Sequence, residues 1–233
     1  MFDIETEKIN ETISPAPSFI SIGRLCAGQD LYDRISDKMC TCLERKNAAL
    51  DSARTHKCLD KIFDKFTKEL IKYHELNTIG ELDMEEFMNT MWGRLAKNCK
   101  YMTNTFKDTI AKYNPQFVPD TKPVCDSIHT GEFYYVEYNS KYESYDTTFA
   151  TFSREEYLEK IQPDNTYSRL SIKWISDCRY QLTFIESNDP FKKSFSKRGD
   201  TYIYEIRKVT ADSFIVEYIW DGPKVFIEYV RAK

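Results

Sequence analysis

Leu170-Ser-Ile-Lys-Trp-Ile-Ser-Asp-Cys-Arg-Tyr-Gln-Leu-Thr-Phe184 is the stretch on which the fold turns. Its even-numbered positions Leu170, Ile172, Trp174, Tyr180, Leu182 and Phe184 are apolar or aromatic, while Ser171, Lys173, Gln181 and Thr183 are polar. Alternation of period two places the first set on one face of a strand, so the stretch reads as two strands of a hairpin with one buried side. Outward from it the alternation recurs in Phe133/Tyr135, Tyr202/Tyr204/Ile206, Phe214/Val216/Tyr218 and Val225/Ile227/Tyr229, with Asp221-Gly222 as a turn between the last two. Seven or eight strands are expected. Most of the 16 Tyr lie in this half, and aromatic and β-branched side chains suit a pleated, half-buried surface. Consecutive short antiparallel strands with tight turns favour a meander curled into a small barrel, which removes exposed edges. A barrel of about eight strands has room inside either for packed side chains or for one small ligand, and so many large aromatics favour filling, with Trp174 as a core anchor beside Ile172, Tyr180, Leu182 and Phe184.

Upstream of the strands the period changes. Met88, Met91, Leu95, Cys99, Met102, Phe106 and Ile110 recur in steps of three and four, which predicts one helix from Asp83 to Asn114. Asp83 with Glu86 three residues on fits a variant of the capping box, and Pro115 disfavours helix in the residue before it. Leu59, Ile62, Phe63, Phe66, Leu70 and Ile71 predict a helix over Ala49 to His74, and Leu31, Ile35, Met39, Cys42 and Leu43 predict one before it, with connections at Lys46–Asn47 and Glu75–Leu82. The class is therefore α+β. An extended segment (1–29) precedes a bundle of about three helices (30–114), a Pro-containing linker (115–124) and an antiparallel barrel (125–233).

Lys and Arg total 33 against 37 Asp and Glu, and the slight acidic excess is spread over both halves. Neither half has the basic surplus with which proteins displace counterions from phosphates, so nucleic acid is not an expected partner. Residues 1–24 lack a basic start followed by an apolar run, and no apolar stretch reaches the ~18 residues of a membrane span. A cytoplasmic location is the expectation. Seven Cys is an odd number, which argues against a fully stapled fold.

Cys125 followed by Thr130-Gly-Glu-Phe-Tyr-Tyr135, and then Ile172-Lys-Trp-Ile-Ser-Asp-Cys-Arg-Tyr-Gln-Leu-Thr-Phe184, resembles a group of uncharacterised Bacteroidetes proteins with a lipocalin-like C-terminal barrel. The helical half is similar to that group through Cys40-Thr-Cys42 and Leu95-Ala-Lys-Asn-Cys99. The resemblance covers most of residues 25–233. It implies a fold and no reaction. Because members often look exported, it also implies the alternative of an exported chain whose signal has been removed.

Cys40, Cys42, His56, Cys58 and Cys99 offer thiolate and imidazole ligands for zinc, but two ligands two residues apart on a helix point about 200° from one another, so no metal is expected. The alternatives are small hydrophobes on the apolar stripes or two helix-to-helix disulfides, which need an oxidising compartment. Cys125 and Cys178 are expected to come close when the sheet closes, and a bridge there would favour export. Neither His74 nor His129 lies beside a nucleophile motif, and no Walker loop or Gly-x-Gly-x-x-Gly occurs, so no cofactor and no catalytic residue are assigned. The run Lys192-Lys193-Ser-Phe-Ser-Lys197-Arg198 reads as a solvated connection, or else as a loop that attracts an anionic partner. Two functions compete. The first is a non-enzymatic binding or interaction protein for a protein partner or small apolar ligand, with Tyr135, Trp174, Tyr180, Phe184, Tyr204, Glu205 and Arg207 as candidate ligand residues. The second is an enzyme at the barrel mouth using residues such as Tyr135, Glu205 and Arg207. A convergent ionisable cluster inside the barrel would favour the enzyme, and an aromatic interior would favour binding.

Overall fold

The computed structural model describes residues 30–44, 52–105, 107–139, 144–220 and 222–233. The expectations for residues 1–29, for the Lys46–Asn47 connection and for Asp221 lie outside the described residues. Five helices come first: α1 (Leu31–Glu44), α2 (Ser52–Tyr73), α3 (Met84–Asn98), α4 (Lys100–Thr105) and α5 (Lys107–Tyr113). Their apolar stripes meet in one core, in which Ile35, Met39 and Leu43 of α1 face Ile62, Phe66 and Leu70 of α2 and Phe87, Met91 and Leu95 of α3. At the start of α3 the Asp83 side chain accepts a hydrogen bond from the Glu86 N–H at 3.0 Å, which satisfies one of the donors every helix start leaves open.

The single helix expected from Asp83 to Asn114 is interrupted. Cys99 takes an extended conformation (φ −107°, ψ 103°), and its sulfur is bonded to Cys40 of α1. Its N–H still reaches Leu95 O at 2.9 Å and its carbonyl accepts from Thr103 N–H at 3.2 Å, so both backbone groups of Cys99 itself stay paired across the break. A second bridge joins Cys42 to Cys58 of α2. Residues two apart on a helix face different ways, which disfavours a shared metal and suits two bridges to two different neighbours.

The strands are β1 (Gly131–Asn139), β2 (Ser144–Phe152), β3 (Glu156–Gln162), β4 (Thr166–Ser176), β5 (Arg179–Ser187), β6 (Thr201–Val209), β7 (Ser213–Ile219) and β8 (Val225–Arg231). They form a closed antiparallel meander of eight strands, with β8 returning to β1 through Phe133↔Arg231 and Tyr134↔Val230. The β1–β8 ladder that closes the barrel runs over these two residue pairs, at the end where β1 begins. A six-residue helix, α6 (Pro190–Phe195), interrupts the β5–β6 connection.

The two ends of the barrel differ. At the lower end, where β4 turns into β5, Phe133, Phe152, Tyr157, Tyr180, Phe214 and Tyr229 are all at most 2% exposed and pack largely edge to face. Trp174 is an inward residue here but only half-buried, with the His129 ring 3.9 Å from its own and Tyr180 at 5.0 Å. It plugs the end of the core rather than sitting at its centre. Cys125 and Cys178 form a disulfide with Cα atoms 5.4 Å apart, tying the approach to β1 onto the β4–β5 turn. The Pro-containing connection runs against the outer wall: Asp120 N–H donates to Arg207 O (2.8 Å), its carboxylate accepts from Val209 N–H (3.0 Å), and Phe117 packs on Phe226.

At the upper end the helical region docks through α3 and α6. Gly93 is needed there, because a Cβ would come within 3.0 Å of the Ser194 backbone. Next to it the buried Arg94 guanidinium pairs with Asp200 at 3.0 Å and donates to Phe195 O at 3.2 Å. Lys97 also pairs with Asp200, at 2.5 Å, and Lys197 pairs with Asp33 of α1. Burial alone would raise the Asp200 carboxyl, but Lys97, the Lys197 N–H and Arg94 hold it below its usual value.

Candidate functional site

Above the aromatic plug the barrel is hollow, with a cavity of about 430 Å³. Leu170 of β4, Leu182 and Phe184 of β5, Tyr202 and Tyr204 of β6, and Ile227 of β8 supply an apolar wall. The barrel does not close the cavity alone. Ala96 of α3 and Met102 and Thr103 of α4 line its mouth together with Phe191 and Phe195 of α6, so the helical region forms part of the wall. The expected filling therefore holds for the lower half only.

One polar cluster interrupts this lining. Glu159, inward on β3 between Tyr157 and Ile161, accepts hydrogen bonds from Tyr135 OH at 2.7 Å and Tyr157 OH at 2.9 Å through the same carboxylate oxygen. Tyr157 OH in turn lies 2.9 Å from Tyr229 OH. The other oxygen of Glu159 is 3.4 Å from the Lys192 ammonium, which is also 3.4 Å from Tyr135 OH. Burial by itself pulls the Lys192 pKa down, and Glu159 and Glu137 more than offset it, leaving it above its ordinary value. Lys192 thus stays protonated. Burial raises the Tyr135, Tyr157 and Tyr229 phenols, and the neighbouring carboxylate raises them further.

Glu137 completes the set. It follows Phe133 and Tyr135 on the inward face of β1, lines the cavity, and makes no hydrogen bond or ion pair with another described residue. Its side chain is solvent-exposed, yet the packed wall around it raises its pKa, and Lys192 only partly counters that.

Lys192 reaches the barrel because α6 is anchored. Asp189 caps it by accepting from Lys192 N–H at 2.8 Å, Pro190 fits the first turn, and Thr166 donates to the other Asp189 oxygen at 2.9 Å. The basic run is consequently not one patch. Lys192 points into the cavity, Lys197 binds Asp33 in the interface, and Lys193 and Arg198 are solvent-exposed.

Of the candidate ligand residues, Phe184 and Tyr204 line the cavity and Tyr135 belongs to its polar cluster. Trp174 and Tyr180 lie below it in the plug. Glu205 and Arg207 are on the outer wall, where Arg207 bridges Glu205 at 2.5 Å and Glu217 at 2.7 Å. The structure does not bring these two together with Tyr135, since Tyr204 faces inward and its neighbour must face out. The reading of the sequence missed Glu159, Glu137 and Lys192 as a set. Their signals were acidic residues in phase with inward aromatics, as in Tyr157-x-Glu159, and the helix start Asp189-Pro190 just before Lys192.

Cys40, Cys42, Cys58 and Cys99 are all disulfide-bonded, which removes the thiolates a zinc site would need, and His56 is exposed. No protein-family model matches this sequence, and no curated protein shows significant similarity to it. No helix among the described residues is long and apolar enough to cross a membrane.

Proposed function

We propose that this is a non-enzymatic binding protein, which holds a small, mainly apolar ligand in the upper barrel and uses the helical region as a docking module at the mouth. The observation that carries this reading is the cavity itself: its volume and its aromatic and aliphatic wall with a few convergent polar groups are those of small-molecule sites. An eight-stranded antiparallel barrel with one filled and one hollow end is consistent with the lipocalin-like fold that the sequence motifs suggest. Three disulfides favour an oxidising compartment, hence export rather than the cytoplasm.

Saturable enhancement of Nile red fluorescence, lost in the folded variants Leu170→Trp and Ser168→Phe that fill the cavity, is the expected result. Absence of saturable binding, or binding that both variants leave intact, overturns the reading.

A second reading, an enzyme at the barrel mouth, draws on the Glu159–Lys192–Tyr135 cluster. Against it, Lys192 is held protonated and both oxygens of Glu159 are already engaged, so neither is free as nucleophile or base. The cluster serves recognition better than proton transfer.

A further inference from the structure

Among the described residues, the charges that line the cavity do not balance. Glu159 and Glu137 are two carboxylates, and Lys192 is the one ammonium among the cavity-lining residues. Glu159 is matched by Lys192 and two phenols, whereas Glu137 makes no hydrogen bond or ion pair with another described residue and is reached by Lys192 only at longer range. The Glu137 side chain is solvent-exposed where the cavity opens, so its carboxylate is within reach of a cation entering from the mouth. Two strands round the barrel from β1, Tyr218 of β7 and Trp220 just after that strand line the same cavity with their rings stacked at 5.5 Å, and Tyr204 lies 5.4 Å from Tyr218. Aromatic faces beside a carboxylate attract an organic ammonium through the ring quadrupole and the Coulomb term together. One ammonium already uses this chemistry at the mouth, where Lys97 sits 4.8 Å over the Tyr202 ring. An anionic head group would meet the opposite: the ammoniums nearest it, Lys192 and Lys97, are engaged by Glu159 and Asp200, and Glu137 repels it.

We infer that the ligand of the barrel is an organic cation, a primary or quaternary amine carried on an apolar body, whose ammonium faces Glu137 while the body lies against the aliphatic and aromatic wall. This rests on the binding reading above and narrows it to one class of head group.

The test uses the full chain with its disulfides intact and three probes that share a tail: octyltrimethylammonium, octanol and octanoate, each below its aggregation limit, followed by calorimetry and by tryptophan fluorescence. The expected order of affinity is ammonium, then alcohol, then carboxylate, and Glu137→Gln should lower the ratio of ammonium to alcohol affinity about tenfold. Octanoate binding as tightly as the ammonium, or a ratio unmoved by Glu137→Gln in a folded protein, overturns the inference and leaves the binding reading standing. Failure of all three probes, together with Nile red, sinks both.

Discussion

The helical region and the barrel solve the problem of holding a modest core in different ways. Among α1 to α4 the apolar stripes meet on one side of each helix, and two disulfides fix α1 to α2 and to the end of α3. In the barrel every strand is paired on both sides, six aromatic residues are sealed into the lower end, and the one disulfide lies outside the ladder at its base. Short helical units bury too little surface to be rigid by packing alone, whereas a closed ladder fixes each strand by two neighbours. Covalent staples are placed where non-covalent closure is missing.

Removal of both helical bridges, by Cys→Ser at Cys40, Cys42, Cys58 and Cys99, should have the largest effect. With about 2–4 kcal/mol per bridge, the helical region is expected to lose protection in hydrogen exchange while the barrel amides keep theirs. Helices that stay protected would mean the staples carry little, and loss of barrel protection as well would make the two regions one cooperative unit. Next in size is Phe152→Ala in the aromatic plug, expected to cost about 3–5 kcal/mol in a urea melt. The same truncation at the half-buried Trp174 should cost on the order of 2 kcal/mol. Equal costs at the two positions would show that Trp174 anchors the core after all.

The join between the regions gives smaller effects. Gly93→Ala forces a methyl against the Ser194 backbone, and about 1–3 kcal/mol of destabilisation is expected, with α3 and α6 exchanging faster. An unchanged melt would mean that α3 can move off α6 without loss. The smallest effect is the pH dependence of Asp200. Its folded pKa is depressed, so the stabilisation it provides is present above its unfolded value near pH ~4 and is lost as pH falls through the lower folded value. Melts followed from neutral pH downward should therefore show an acid limb that Asp200→Asn removes, and a limb that persists in the variant would assign it to other carboxylates.

The strands were legible because inward residues such as Leu170, Ile172, Leu182 and Phe184 alternate without interruption. The break at Cys99 was not, since Leu95, Cys99 and Met102 keep helical spacing and no Gly or Pro marks the change; a bond to Cys40 is invisible to periodicity. The hollow upper barrel was hidden for a related reason. Alternation says which face a residue takes and nothing about whether the faces opposite it meet, so Phe152 fills the centre while Phe184 borders a void. Lys192 was read as solvated because its run of charge looks alike whether the side chains point out or in.

The placement of Ala96, Met102 and Thr103 in the cavity wall bears on time rather than on affinity. On the proposed binding reading, and with the lower end sealed by aromatic rings, a bound molecule would leave through the mouth beside α3, α4 and α6. Its residence time would then be tied to how often the contact between Gly93 and Ser194 and the ion pairs of Arg94 and Lys97 loosen, a property of residues outside the cavity wall. Whatever docks on the helices and shifts them would act as a valve on release.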